Sequence, residues 1–227
     1  MAVPTHINTA GAQGGAITTN TNWYATTANN DIGVETMAVS GAGAAATVPS
    51  GWSSPISDVT VGTYRLITTW KRCGVNEADH AWSAITGGNR FILSTVIRGC
   101  VTTGDPWDVL TDGTAAASTS MSIALGTTVY SDCLYLVHIG NPGSCTVASG
   151  AAANLSSVTE QYDTATTSNS RHAFTGGLAT AGAGGTLTGT FSSSLAAAWM
   201  VIALKSTTST TGGTVLGGRK TLLGVGR

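Results

Sequence analysis

Short runs of β-branched and aromatic residues, broken at close intervals by Gly, Pro, Asn and Asp, constrain this chain more than anything else in it. Val, Ile, Thr, Tyr and Trp suit a pleated, half-buried surface. The candidate strands are 33–40, 52–61, 64–73, 80–85, 91–98, 118–125, 129–139, 155–163, 171–180, 186–191 and 195–205. Between them stand Pro-Ser-Gly (49–51), Gly-Gly-Asn (87–89), Thr-Gly-Asp-Pro (103–106), Asp-Gly (112–113), Gly-Asn-Pro-Gly (140–143) and Gly-Ala-Gly-Gly (182–185). Gly supplies positive φ, Pro fixes φ near −65°, and Asn and Asp close local turns with their side chains. No segment longer than about ten residues combines helical periodicity with caps. The pattern predicts an all-β chain, an antiparallel β-sandwich of jelly-roll-like kind.

Two segments carry the expected core. In 129–139, one face is Val129, Ser131, Cys133, Tyr135, Val137 and Ile139, and the other is Tyr130, Asp132, Leu134, Leu136 and His138. Both faces are largely apolar, which predicts a central strand. The run from Leu195 to Leu204 is apolar on both faces too, and its Trp199 fits packing between two sheets about 10 Å apart.

The 227 residues are enough for one large β domain or two small ones, and sandwiches of this length commonly stay single. A body at 31–205 is expected, preceded by an extended arm at 1–30 that can add a strand. A Ser/Thr/Gly linker and a basic tail follow at 206–227. In that tail Val215, Leu216, Leu222, Leu223 and Val225 interleave with Arg219, Lys220 and Arg227 and no acid. Such a segment cannot bury a core of its own, so it is either a frayed terminus or a docking segment that a partner orders.

Charge narrows the function. Asp, Glu, Lys and Arg make up 9% of the chain and the net charge is −1, against about 25% charged residues in an ordinary soluble domain. That excludes a basic nucleic-acid binder and an acidic disordered chain. Mean hydropathy is +0.19, yet the longest apolar run is about half a membrane span, so no membrane insertion is expected. No basic segment followed by an apolar one opens the chain, so no signal peptide is expected either. Mixed surface charge keeps a monomer apart from its copies. A chain with so little of it is expected to be covered by other subunits; a secreted β protein with a hydroxyl-rich surface is the alternative.

No chemistry stands out. Cys73, Cys100, Cys133 and Cys145 form no Cys-x-x-Cys pair, and the spacing of Cys133, His138 and Cys145 matches no common zinc knuckle. Neither metal nor cofactor is expected. Reduced thiols are the default for cytoplasmic synthesis, and disulfides after release from a cell stay open. The four histidines suggest no catalytic triad, there is no Gly-x-Ser-x-Gly elbow, and no glycine run opens a helix that could hold phosphate. Asp105, Asp108 and Asp112 surround Trp107 in Gly-Asp-Pro-Trp-Asp-Val-Leu-Thr-Asp-Gly. These four residues are candidates for a glycan site, in which the ring stacks on a sugar and the acids take its hydroxyls. The acids could equally hold calcium, or simply cap turn amides while Trp107 plugs the end of the sandwich.

The stretch Val-Pro-Ser-Gly-Trp (48–52), Tyr-Arg-Leu-Ile-Thr-Thr-Trp-Lys-Arg (64–72), Phe-Ile-Leu-Ser-Thr-Val-Ile-Arg-Gly (91–99) and Asp-Pro-Trp-Asp-Val (105–109) resembles a family of β-sandwich virion proteins of tailed bacteriophages. The resemblance continues through a polar strand at 157–163 and the apolar strand ending at Lys205, about two thirds of the chain. Ile97 stands where an aromatic usually precedes Arg-Gly, and the cysteines and the tail are additional. The resemblance implies a non-enzymatic component of a fibre, collar, neck, tail or head decoration, located in the virion and assembled in the host cytoplasm. Its partners would be copies of itself and other virion proteins. A receptor-binding module for a host surface glycan is the alternative role, and a glycan-degrading depolymerase is a third that would need an acid pair.

Overall fold

The computed structural model describes residues 3–19 and 27–211. The described chain is all-β, with antiparallel pairing throughout. Its strands in chain order are β1 (Thr5–Gly14), β2 (Ile32–Ser40), β3 (Ala45–Thr47), β4 (Val59–Val61), β5 (Tyr64–Arg72), β6 (Ser83–Thr86) and β7 (Asn89–Arg98). They continue with β8 (Trp107–Ala124), β9 (Cys133–Asn141), β10 (Val147–Ala151), β11 (Ser156–Ala165), β12 (Ser170–Leu178) and β13 (Thr186–Lys205). One sheet runs β1-β7-β2-β5-β4; the other runs β10-β13-β9-β12-β11, with β8 on the opposite side of β13. A small β3-β6 pair stands apart.

The two large sheets meet face to face because their central strands are apolar at every second residue. Ile32 and Val34 of β2 and Ile97 of β7 pack on Leu134 and Leu136 of β9 and on Met200, Ile202 and Leu204 of β13. The other faces of the same strands are buried as well. On the first sheet, Met37, Val39, Ile67 and Ile92 lie beneath Trp82 and the β3-β6 pair. On the second, Cys133, Tyr135, Val137 and Ile139 join Phe174, Val201, Leu187 and Phe191. Every residue of β9 is buried, as its two apolar faces predict.

The sequence suggests separate strands at 186–191 and 195–205, whereas the structure has one twenty-residue strand, β13. Its ladder with β8 shifts register between Thr190 and Ala197. Such irregularities bend a strand without ending it, so Leu187 and Phe191 from one half reach the same apolar cluster as Val201 and Ala203 from the other. β8 is likewise longer than expected, because Gly113 inside it reads as a turn. A Cβ at Gly113 would stand 2.5 Å from the Trp199 ring; here glycine makes room for an indole. The stretch 52–61 shrinks to β4 and a single bridge at Ser53.

Some of the buried polar groups between the two large sheets pair across them, while the Tyr64 hydroxyl and Arg171 Nε and Nη1 have no hydrogen-bond partner among the described residues. His138 of β9 is bonded at Nδ1 to Thr36 (2.9 Å) and at Nε2 to Thr95 (2.9 Å). Arg171 of β12, fully buried, donates to the same Thr36 hydroxyl. On the far face of the first sheet the buried Glu35 accepts from Trp82 Nε1 and Ser94 Oγ, and its Oε1 lies 2.9 Å from His80 Nε2. Tyr64 enters the seam beside Gly140, where an added Cβ would fall 1.9 Å from the hydroxyl. Gly140→Ala is therefore expected to cost about 1–3 kcal/mol through overpacking. Adding Tyr64→Phe should restore part of the loss, because the ring's Cζ still stands 2.9 Å from the new Cβ, and urea unfolding of the single and double variants measures both.

Candidate functional site

The acid-tryptophan turn is built into the body. Trp107 opens β8, packs with Leu110 against the inter-sheet cluster, and meets the Trp70 ring edge-on at a centroid distance of 5.0 Å. Asp108 falls where the β8-β13 register slips, between the pairs Trp107–Leu204 and Val109–Ala203. Its Oδ2 accepts from the backbone amides of Val129 (2.6 Å) and Tyr130 (2.9 Å). Asp105 is exposed in the preceding loop, and Asp112 lies opposite Met200 in the ladder. Among the described residues no group of three or more His, Cys, Asp or Glu is arranged to hold a metal.

A second constellation comes from residues far apart in the chain. His172 of β12 is bonded at Nδ1 to Asp163 of β11 (2.8 Å), and its Nε2 faces Cys145 Sγ (3.6 Å) and Asn141 Oδ1 (3.2 Å). Cys145 also lies 3.0 Å from Ser170 Oγ. Cysteine, histidine and aspartate in this order have the connectivity of an activated nucleophile. Sequence spacing holds no sign of it, because β-pairing alone joins positions 145, 163 and 172. Cys145 and His172 are both buried, however. Burial pushes the thiol up and the imidazole down, against the opposing pull of Ser170 on the one and Asp163 on the other. That favours the neutral pair over a thiolate and an imidazolium. Cys73, Cys100 and Cys133 are buried free thiols too, each pushed up to about 12 mainly by desolvation.

The feature open to a partner is the outer edge of β8. This eighteen-residue strand pairs with β13 on one side, and no described strand pairs with it on the other. From Gly113 to Ala124 it contains neither a charged residue nor a proline, the two usual guards of a sheet edge. Thr114, Ala116, Ala117, Thr119, Ser120, Ser122 and Ala124 are exposed. Among the described residues the other edges are short, covered or, at β11, acidic. β4 and β10 have three and five residues, and β1 lies alongside β11, whose Tyr162 presses on Gly11 and Phe91. The described chain leaves the body close to the start of β8. Thr211 bridges Tyr130, whose amide is held by Asp108 and whose ring lies under Lys205 Nζ at 5.1 Å. Val215, Leu216, Arg219, Lys220, Leu222, Leu223 and Arg227 lie outside the described residues.

Comparison with protein-family models, curated proteins and solved structures finds no match to this chain.

Two outcomes follow from the buried side chains. The four thiols should stay unreactive toward a bulky disulfide reagent in the native protein, and all four should react once denaturant is added. His138 and His172 are both lowered, first by burial, so the unfolded chain binds their protons at a higher pH than the folded one. Stability is then complete above the unfolded value near 6.5 and falls as the pH drops below it, by at most about 1.4 kcal/mol per pH unit for each histidine. Chemical denaturation between pH 7 and pH 5 reads that slope, and His138→Gln should flatten it.

Proposed function

We propose that this chain is a structural subunit of a tailed-phage particle, acting by assembly with copies of itself and with other virion proteins. The observation that carries this reading is the outer edge of β8, long, uncharged from Gly113 to Ala124 and unpaired among the described residues. A free monomer bearing such an edge tends to aggregate, whereas a subunit uses it for β-augmentation. The charge-poor composition supports the same reading, because a surface buried between subunits needs few ionised groups. Non-sequential neighbours, with β13 between β8 and β9 and β1 beside β7, support a jelly-roll-like sandwich with Greek-key connections. The buried thiol-imidazole pair, held neutral, supports a role without turnover.

Particles assembled with a chain lacking 214–227 test the reading. The body should remain folded, and the truncated chain should be absent from purified particles. Normal incorporation would refute docking through the tail. In the same system Trp107→Ala should leave host adsorption unchanged, since an indole packed on Trp70 serves the core; loss of adsorption from intact particles would establish the glycan-binding role instead.

A further inference from the structure

We infer that the occupant of the β8 edge is the 215–227 segment of a second copy of this chain, laid antiparallel along it. The inference rests on the assembly reading above and adds both the docking surface and the segment that fills it.

Length and geometry exclude the same pairing within one copy. The chain passes Thr211 beside Tyr130, at the Trp107 end of β8. To run antiparallel to its own β8, the segment would first have to reach Ala124, about 60 Å away along eighteen residues at roughly 3.3 Å each. Residues 212–227 extend about 53–58 Å when fully stretched and would be used up along the strand before the first pair of this register formed. Pairing along the whole edge is open within one copy only in the parallel sense, which is somewhat weaker per residue. Every ladder of the described fold is antiparallel. A second copy has no such constraint.

Charge is complementary between the two. The edge is acidic only toward its beginning, at Asp105, Asp108 and Asp112, and the segment is basic with no acid. With Val215 opposite Ile123, an antiparallel register carries Arg227 to Thr111, next to Asp112. Arg219 and Lys220 then lie over the uncharged middle, with their heads free to reach solvent. Val215, Leu216, Leu222, Leu223 and Val225 supply the β-prone and larger apolar residues that the exposed Thr, Ser and Ala of the edge lack. Each copy offers one edge and one segment, so the contact is head-to-tail and closes into a ring or continues as a filament.

Complementation between two full-length variants tests this by sedimentation velocity. The unaltered chain should associate in a concentration-dependent way. Thr114→Lys with Ser120→Lys places cations on the edge, at exposed positions opposite Ala198 and Thr190. Leu222→Asp with Leu223→Asp spoils the segment. Each variant alone should sediment as a monomer with the circular dichroism of the parent. Mixed, they should form a one-to-one complex, because the edge variant keeps its segment and the segment variant keeps its edge. An associated parent whose size neither variant changes overturns this contact and leaves the assembly reading standing. Monomeric variants that fail to combine also overturn it. A parent that stays monomeric at all concentrations, with β8 amides protected from hydrogen exchange, overturns both.

Discussion

His138 bridges two threonines of the opposite sheet, and this clasp ties the two large sheets together at a polar point. A neutral imidazole has one donor and one acceptor, and each threonine hydroxyl can take either part. Thr36 on β2 and Thr95 on β7 are therefore satisfied by a single ring from β9. Thr36 also receives Arg171, and Thr95 also pairs with Thr9 (2.9 Å), so a slide of one sheet over the other gives up the ring's two bonds, each worth about 0.5–1.5 kcal/mol. The apolar residues on either side resist sliding far less, since one Leu or Ile replaces another at small cost. Arg171, directed at the same Thr36 hydroxyl, brings a cation close to the ring and reinforces its neutrality.

Strand identity was legible in the sequence wherever burial alternates with period two. The prediction of two apolar faces for 129–139 anticipates β9, and the apolar run 195–204 anticipates the inner half of β13. What local pattern hides is how a ladder continues through an irregular point. Ser192, Ser193 and Ser194 look like a break between strands, but β13 runs through them because β8 follows alongside with a matching shift. Gly113 looks like a turn for the same reason: its purpose, clearance for Trp199, lies across the sheet and leaves no trace within five residues of it.

The candidate sites divide along the same line. Asp108 stands in a motif that reads equally as a ligand site and as a turn; the amides of Val129 and Tyr130 that it receives come from more than twenty residues away. The Cys145, Asp163 and His172 grouping needs the β11-β12 hairpin and the return of β9 before it exists at all. Composition, by contrast, is visible from the sequence without any fold. Charge scarcity points toward covered surfaces, and the structure shows where an uncovered one coincides with an absence of guarding residues.

An edge of this kind is informative because sheet proteins so commonly protect theirs. Elsewhere among the described residues the edges are short, or shielded by Tyr162 against Gly11, or acidic, as β11 is at Glu160 and Asp163. β8 shows none of these devices from Gly113 onward, although it is among the longest strands present. Lysine would have been a small change at any of its exposed Thr or Ser positions, with little effect on the β13 ladder behind it. From Gly113 to Ala124 the strand keeps its outward backbone donors and acceptors free of any charged side chain, and the hydrogen bonds they can make are independent of side-chain identity. Specificity then has to come from what lies at the ends and from the length itself, which is where the aspartates of β8 are found.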